Sequence, residues 1–127
     1  MDAVIRSALD QGGIVDITTT GRRSGKPRRI EIFLHNIDGV LYLTGRPGSQ
    51  RDWLSNLGVH PEMTIHLKRN VTADVAATAS VIRDDETRRD LIYRARVESW
   101  KVDPDEARAD LDYWVETAPL ARVDVAP

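Results

Sequence analysis

The dipeptide Asp38-Gly39, set between two runs of alternating apolar residues, most constrains what this chain can fold into. Both residues tolerate positive φ, which a two-residue turn between antiparallel strands demands. Upstream, Ile30, Ile32 and Leu34 alternate with Arg29, Glu31, Phe33 and His35. Downstream, residues 40–44 read as the return strand. The β-branched run 14–20 predicts a strand before this hairpin. The alternating run 62–69, a tight turn at Asn70 and the run 71–82 predict two more, and residues 120–125 a sixth. Helices are expected at 1–10, with Val4, Ile5, Ala8 and Leu9 on one side, and at 51–57, closed by Gly58 and Pro61. Asp84 or Asp85 can cap a helix running to about residue 99, and Asp103-Pro104 can open another to about residue 116. Six strands in hairpin-like succession, with short flanking and C-terminal helices, predict an α+β chain that is mainly β: a small antiparallel barrel. Nothing resembles repeated βαβ units.

A length of 127 residues fits a single domain over 1–127. Without cysteine there are no disulfides, thiolate metal sites or thiol nucleophiles, and a reducing cytoplasm is the expected location. No apolar run is long enough for an integral membrane segment, and the N-terminal residues lack the apolar stretch of a signal peptide. The formal net charge of −2 argues against a surface-wide nucleic-acid or anionic-membrane binder. That charge is unevenly spread. Arg22, Arg23, Lys26, Arg28 and Arg29 crowd one turn, whereas residues 84–116 are rich in Asp and Glu.

The basic turn, Thr20-Gly21-Arg22-Arg23-Ser24-Gly25-Lys26-Pro27-Arg28, joins two predicted strands. Its glycines allow a sharp bend and expose N–H groups to an anion, the Ser24 hydroxyl can donate to a phosphate oxygen, and Arg offers a planar fork matching phosphate. A solvated hairpin tip is the plainer reading of the same residues. It is not a Walker loop, since no helix follows. A second loop, Gly45-Arg46-Pro47-Gly48-Ser49-Gln50-Arg51, leads from a strand into a short helix and again combines glycines with cations. If both loops sit at one end of a barrel, they form one clamp. Trp53 and Asn56, three apart, share a face of that helix. Trp53 can cover a ring system or simply fill the core, and Asn56 can pin a nearby loop. His35, His60 and His66 lack the spacing of a metal site. No nucleophile elbow is present, so a bound cofactor would have to carry the chemistry of an enzyme.

Taken together, the basic turn, the hairpin, Gly45-Arg46-Pro47-Gly48, and Trp53-Leu54-Ser55-Asn56-Leu57 with Pro61 resemble the deazaflavin-dependent nitroreductase family. These are small split β-barrel proteins related to the flavin-binding, pyridoxamine-phosphate-oxidase-like fold. The resemblance covers about residues 14–83 and, more loosely, the C-terminal helix and strand. It implies coenzyme F-420, an 8-hydroxy-5-deazaflavin, as cofactor. Arg22, Arg23, Ser24, Gly25 and Arg28 would hold its phosphate and oligoglutamate tail, with Lys26 at the rim. Gly45, Arg46 and Gly48 would come from the second loop. Trp53, supported by Asn56, would pack near the ring, and Phe33 stands where the family often has an aromatic residue. The implied reaction is hydride transfer to a small acceptor: a nitroaromatic, a quinone or an activated alkene. The chain departs from the family pattern at Pro47, which has no N–H to offer phosphate. It also departs near the C-terminus, where Tyr93, Trp100, Tyr113 and Trp114 stand in place of several tyrosines. Two other occupants fit the same barrel: FMN in an oxidoreductase, or a lipid-like or tetrapyrrole ligand in a non-catalytic binder. Strand edges left uncovered would favour a homodimer.

Overall fold

A computed structural model describes residues 1–48 and 51–126. Ser49 and Gln50 of the second loop therefore lie outside the described residues. The elements run α1 (Ala3–Gln11), β1 (Gly13–Thr20), β2 (Pro27–Ile37), β3 (Val40–Thr44), α2 (Asp52–Val59), β4 (Glu62–Leu67), β5 (Ala73–Val81) and α3 (Asp85–Arg94). A π-helical turn (Ala95–Ser99), α4 (Pro104–Ala109), α5 (Leu111–Thr117) and β6 (Leu120–Val125) follow.

The six strands close an antiparallel barrel in the order β1-β2-β3-β6-β5-β4. All six expected strands are present, but their succession is not a simple meander. β6 returns from the C-terminal helices and inserts between β3 and β5, while β1 pairs with β4 through Asp16↔His66, Ile17↔Ile65 and Thr18↔Thr64. Short-range turn signals specify β1-β2-β3 and β4-β5. They carry nothing about where a strand arriving by a long connection docks. Closure also pairs the strand edges on which the expectation of dimerisation rested.

Alternation explains the core. Val15, Ile17, Leu34, Leu41, Leu43, Met63, Ile65, Leu67, Val75, Ala77, Ala79, Ala121 and Val123 point inward and pack as one cluster. Two helices stop its ends. α1 contributes Leu9, fully buried, with Ile5 and Ala8 beside it. Its first turn is capped by Asp2, whose carboxylate accepts from the N–H groups of Val4 at 2.7 Å and Ile5 at 3.3 Å. At the other end α2 inserts Trp53 and Leu57. The helix expected to close at Gly58 runs through it to Val59, with its C-cap at His60.

A second apolar cluster lies outside the barrel, where Ile37 and Leu120 meet Leu91, Ile92 and Ala95 of the C-terminal helices. Asp84 caps α3 by accepting from the N–H and the hydroxyl of Thr87, and Asp103 caps α4 as expected. The helix expected over 103–116 is broken at Asp110. Its carboxylate serves Arg96 Nη1 at 2.7 Å and Trp114 Nε1 at 3.2 Å, and Asp110 leaves helical geometry to do so. Among the described residues no helix is long and apolar enough to cross a membrane.

Candidate cofactor site

Strand direction gathers the two loops of interest. β3 runs parallel to β1, since both are antiparallel to β2. The turn after Thr20, the loop after Thr44 and helix α2 therefore all lie at one end of the barrel. A cavity of about 670 Å³ opens there, lined by Thr19, residues 21–24 and 27–29 of the basic turn and its exit, Ile30 of β2, and Asp52, Trp53 and Asn56 of α2.

The turn is closed on itself. Gly21 N–H donates to the carbonyl of Lys26 at 2.8 Å and Gly25 N–H to that of Gly21 at 2.9 Å. Gly25 has φ of 69°, a left-handed conformation that favours glycine. Ser24 Oγ accepts from the N–H of Lys26 at 3.1 Å, so its own O–H stays available to donate outward. Among the described residues the N–H groups of Arg23 and Ser24 carry no hydrogen bond.

Helix α2 holds this turn from behind. Asn56 is 3% exposed. Its Oδ1 accepts from the backbone N–H and from Nη1 of Arg22, both at 3.0 Å. Its Nδ2 donates to Thr19 Oγ1 at 3.2 Å. Arg22 Nη2 also reaches Asp52 at 3.4 Å. The five cations of the turn thus divide. Arg22 is engaged by α2, and Arg29 is paired with Asp16 on the barrel's outer face at 3.0 Å. The side chains of Arg23, Lys26 and Arg28 are exposed and meet no partner among the described residues. Trp53 is both core and wall: it is 8% exposed, packs in the barrel cluster and borders the cavity.

The second loop sits at the same barrel end but does not line this cavity. Gly48, with φ of 94°, packs so closely on Tyr113 that a Cβ would overlap the Tyr113 hydroxyl. Its N–H donates to Thr117 Oγ1 at 2.9 Å, which docks the loop on α5. Gly45 lies beside Pro119 and Arg51, and the Arg46 carbonyl accepts from Arg51 Nη2 at 3.1 Å. The Arg46 side chain is exposed. Phe33 is placed elsewhere again, on the outward face of β2, with its ring 4.7 Å from His35 and 6.1 Å from Trp100.

Sequence reasoning counted Arg29 among the cations of the turn but gave no site role to Thr19, Asp52 or Ile30, which also line the cavity. Strand parity would have found Thr19, which continues the inward-facing series Val15, Ile17. Helical spacing would have found Asp52, four residues before Asn56.

The sequence places His35 as an alternating strand residue and sets it aside as a metal ligand. It is 1% exposed, lies 4.8 Å from the Trp100 ring, and neither ring nitrogen has a hydrogen-bond partner among the described residues. Burial lowers its pKa from 6.5 to about 4. The unfolded chain therefore takes up this proton near pH 6.5 and the folded chain only near pH 4. Stability is retained above 6.5 and lost as pH falls through that window, by about 3 kcal/mol in all. His35→Phe is expected to remove this part of the pH dependence and to stabilise the protein by about 1 kcal/mol at pH 7, because it deletes two unpaired buried polar atoms. Urea titrations at pH 7, 5.5 and 4.5 check this. Equal slopes for the two proteins would refute it.

A closed barrel with a cationic turn at one end and a tryptophan wall is the architecture of a flavin-type cofactor binder. Residues 2–114 match the family of F-420H(2)-dependent quinone reductases, and the chain belongs to that family. No curated protein matches it in sequence. Solved structures agree on the fold. A conserved hypothetical protein from Mycobacterium tuberculosis superposes with a TM-score of 0.74 at 16% identity, over 100% of this chain and 81% of the other. An F-420-H2 dependent reductase gives 0.59 at 22% identity, over 87% and 93%. An FAD-binding protein from Mesorhizobium loti gives 0.65 at 11%, over 100% and 91%.

The protein is an F-420-dependent oxidoreductase. The residues present suit that coenzyme: the partnerless Arg23 and Arg28, two free N–H groups and an available Ser24 hydroxyl border a cavity large enough for a phosphate and part of an acidic tail, with partnerless Lys26 in the same turn.

Proposed function

We propose that the chain reduces a quinone-type acceptor and holds F-420 by its phosphate and acidic tail at the β1–β2 turn. The observation that carries this reading is the division of the turn's cations, with Arg23 and Arg28 left unpaired at the cavity and Lys26 unpaired beside it in the turn, while Arg22 is tied to α2. Bound there, the reduced coenzyme supplies the hydride that the acceptor takes up.

The chain's own residues bind and orient. Arg23 and Arg28 form charge-assisted hydrogen bonds to phosphate, Lys26 adds charge at the rim, and Ser24 and the backbone N–H groups beside it complete the cradle. Gly25 provides the left-handed bend that keeps the cradle open. Asn56 fixes the turn to the barrel end, so the cations are positioned before the coenzyme arrives. Trp53 supplies an apolar wall that excludes water. The loop carrying Gly45, Arg46 and Gly48 borders the same barrel end, and the exposed Arg46 would add positive charge for an extended acidic tail. Phe33, five residues along β2 from Arg28 and thus about 17 Å away, offers aromatic surface beyond the phosphate site. One cofactor-binding domain spans the chain in this reading, because β6 at the C-terminal end completes the barrel that the turn depends on.

Side-by-side titration with F-420 and FMN tests the proposal. F-420 is expected to bind with a Kd near micromolar or tighter, roughly −8 kcal/mol, and FMN at least about tenfold more weakly. Equal affinities would reject the cradle as an F-420 site. A series of benzoquinones and naphthoquinones then asks whether reduced F-420 is oxidised. A panel in which nitroaromatics turn over and quinones do not would reject the acceptor class alone.

A further inference from the structure

The outward face of β1, β4 and β5 carries a hydrogen-bonded line of three side chains that the hydride-transfer chemistry does not use. Thr18 Oγ1 lies 2.7 Å from His66 Nε2, and His66 Nδ1 lies 2.7 Å from Asp74 Oδ1. Register explains the line. His66 stands opposite Asp74 on β5, and Thr18 is its diagonal neighbour on β1, one pair along from Asp16↔His66 on the same face. His66 is only 9% exposed, so its ring is held between its two partners.

The proton positions follow from the partners. An ionised carboxylate only accepts, so Nδ1 of the neutral ring carries hydrogen and donates to Asp74. Nε2 is then bare and accepts the Thr18 O–H. A hydroxyl, a base within hydrogen-bond reach and a carboxylate orienting that base form the arrangement that activates a hydroxyl nucleophile.

A shallow cavity of about 480 Å³ lies beside Thr18, with Thr20, Thr64 and Thr78 on its walls. The hydroxyls of these three make no side-chain hydrogen bond among the described residues. They are therefore available to donate to an oxyanion, a role that strand N–H groups committed to the ladder cannot fill. Glu62 and Asp124 also line the cavity and make it hostile to anions. The site is separate from the coenzyme cavity: Thr19, the next residue on β1, faces the opposite way toward Asn56.

We propose that Thr18 is an acyl-accepting nucleophile and that this face hydrolyses small uncharged or cationic esters. Thr18 Oγ bonds to the ester carbonyl carbon while its proton passes to His66 Nε2. The carbon–oxygen bond to the leaving alcohol then breaks, and the alcohol takes that proton. Water attacks the acyl-threonine, giving up a proton to His66. Breakage of the acyl bond returns that proton to Thr18 and releases the carboxylic acid. No electrons are exchanged, so neither oxidant nor reductant is needed.

The test uses the full chain with p-nitrophenyl acetate and with a small fluorophosphonate, and locates adducts by peptide mass spectrometry. Thr20, Thr64 and Thr78 serve as controls within the same cavity. The expected result is label at Thr18 well above the other three, reduced roughly a hundredfold in His66→Gln and retained in Thr18→Ser. No label on the wild-type protein, label spread evenly over the four threonines, or an unchanged rate in His66→Gln would each overturn the assignment. F-420 affinity reports whether each variant keeps its fold. If His66→Gln does not fold, Asp74→Asn is measured instead, with a severalfold fall expected, and an unchanged rate there overturns the proposal equally.

Discussion

Replacing Arg23 and Arg28 together with alanine is expected to weaken F-420 binding by about 3 kcal/mol, roughly a hundredfold in Kd. Each guanidinium is exposed and unpaired in the free protein, so little internal structure is lost with it, and unfolding by urea is expected to be unchanged within about 0.5 kcal/mol. In the proposed cradle their contribution would be charge-assisted hydrogen bonding to phosphate and carboxylate, which salt screens. The dependence of Kd on ionic strength should therefore flatten in the double variant. Arg22→Ala is expected to behave differently. Its guanidinium is shared between Asn56 and Asp52, so the loss should appear in stability as well as in binding. Lys101→Ala, exposed and remote from the turn in sequence, is the neutral control. A Kd for the double variant within about twofold of the control would refute the cradle.

Arg88→Ala is expected to cost about 3 kcal/mol of stability, among the largest effects of any single change. Nε and Nη2 of Arg88 both donate to the Val115 carbonyl, at 2.9 and 2.7 Å. Nη1 reaches the Ile82 carbonyl at 3.0 Å and Nη2 the Ala118 carbonyl at 2.5 Å. One side chain thus satisfies the end of α5, the entry to β6 and the exit of β5. Burial holds its pKa below the ordinary arginine value, and its removal leaves three carbonyls without that donor. Lysine at this position has one ammonium and cannot span the three, so Arg88→Lys is expected to recover only part of the loss. Because Val115 and Ala118 belong to the segment that leads β6 into the barrel, the urea midpoint should fall with no change in m. A loss under about 1 kcal/mol would show that water replaces the guanidinium at these carbonyls.

Arg88 also shows what sequence reasoning can miss. Within the acidic region 84–116 it reads as one more charge on a solvated helix, and only the arrival of β6 beside β5 turns it into an internal clamp. Arg96 is similar. It is 6% exposed, pairs with Asp110 and lies 4.2 Å over the Trp114 ring. The helix expected to run to residue 99 instead widens into a π-helical turn over Ala95–Ser99, with Arg96 inside it. Neither contact leaves a periodic trace, because both join residues distant in sequence through side-chain length.

What the chain determined locally is the set of strands, the Asp38-Gly39 hairpin, the helix caps at Asp84 and Asp103, and the concentration of cations between β1 and β2. Each depends on φ preference, alternation or a side chain reaching its own backbone, interactions that span a few residues. Asn56 as an anchor for a nearby loop was legible too, because helical spacing fixes which residues share a face. Tertiary structure alone decided that β6 enters between β3 and β5, that Arg22 and Arg29 are engaged while Arg23, Lys26 and Arg28 stay free, and that Gly48 docks on Tyr113 away from the basic cavity. Those outcomes rest on which surfaces meet across the closed barrel. Meetings of that kind are set by the packing of the whole core, which no short stretch of sequence contains.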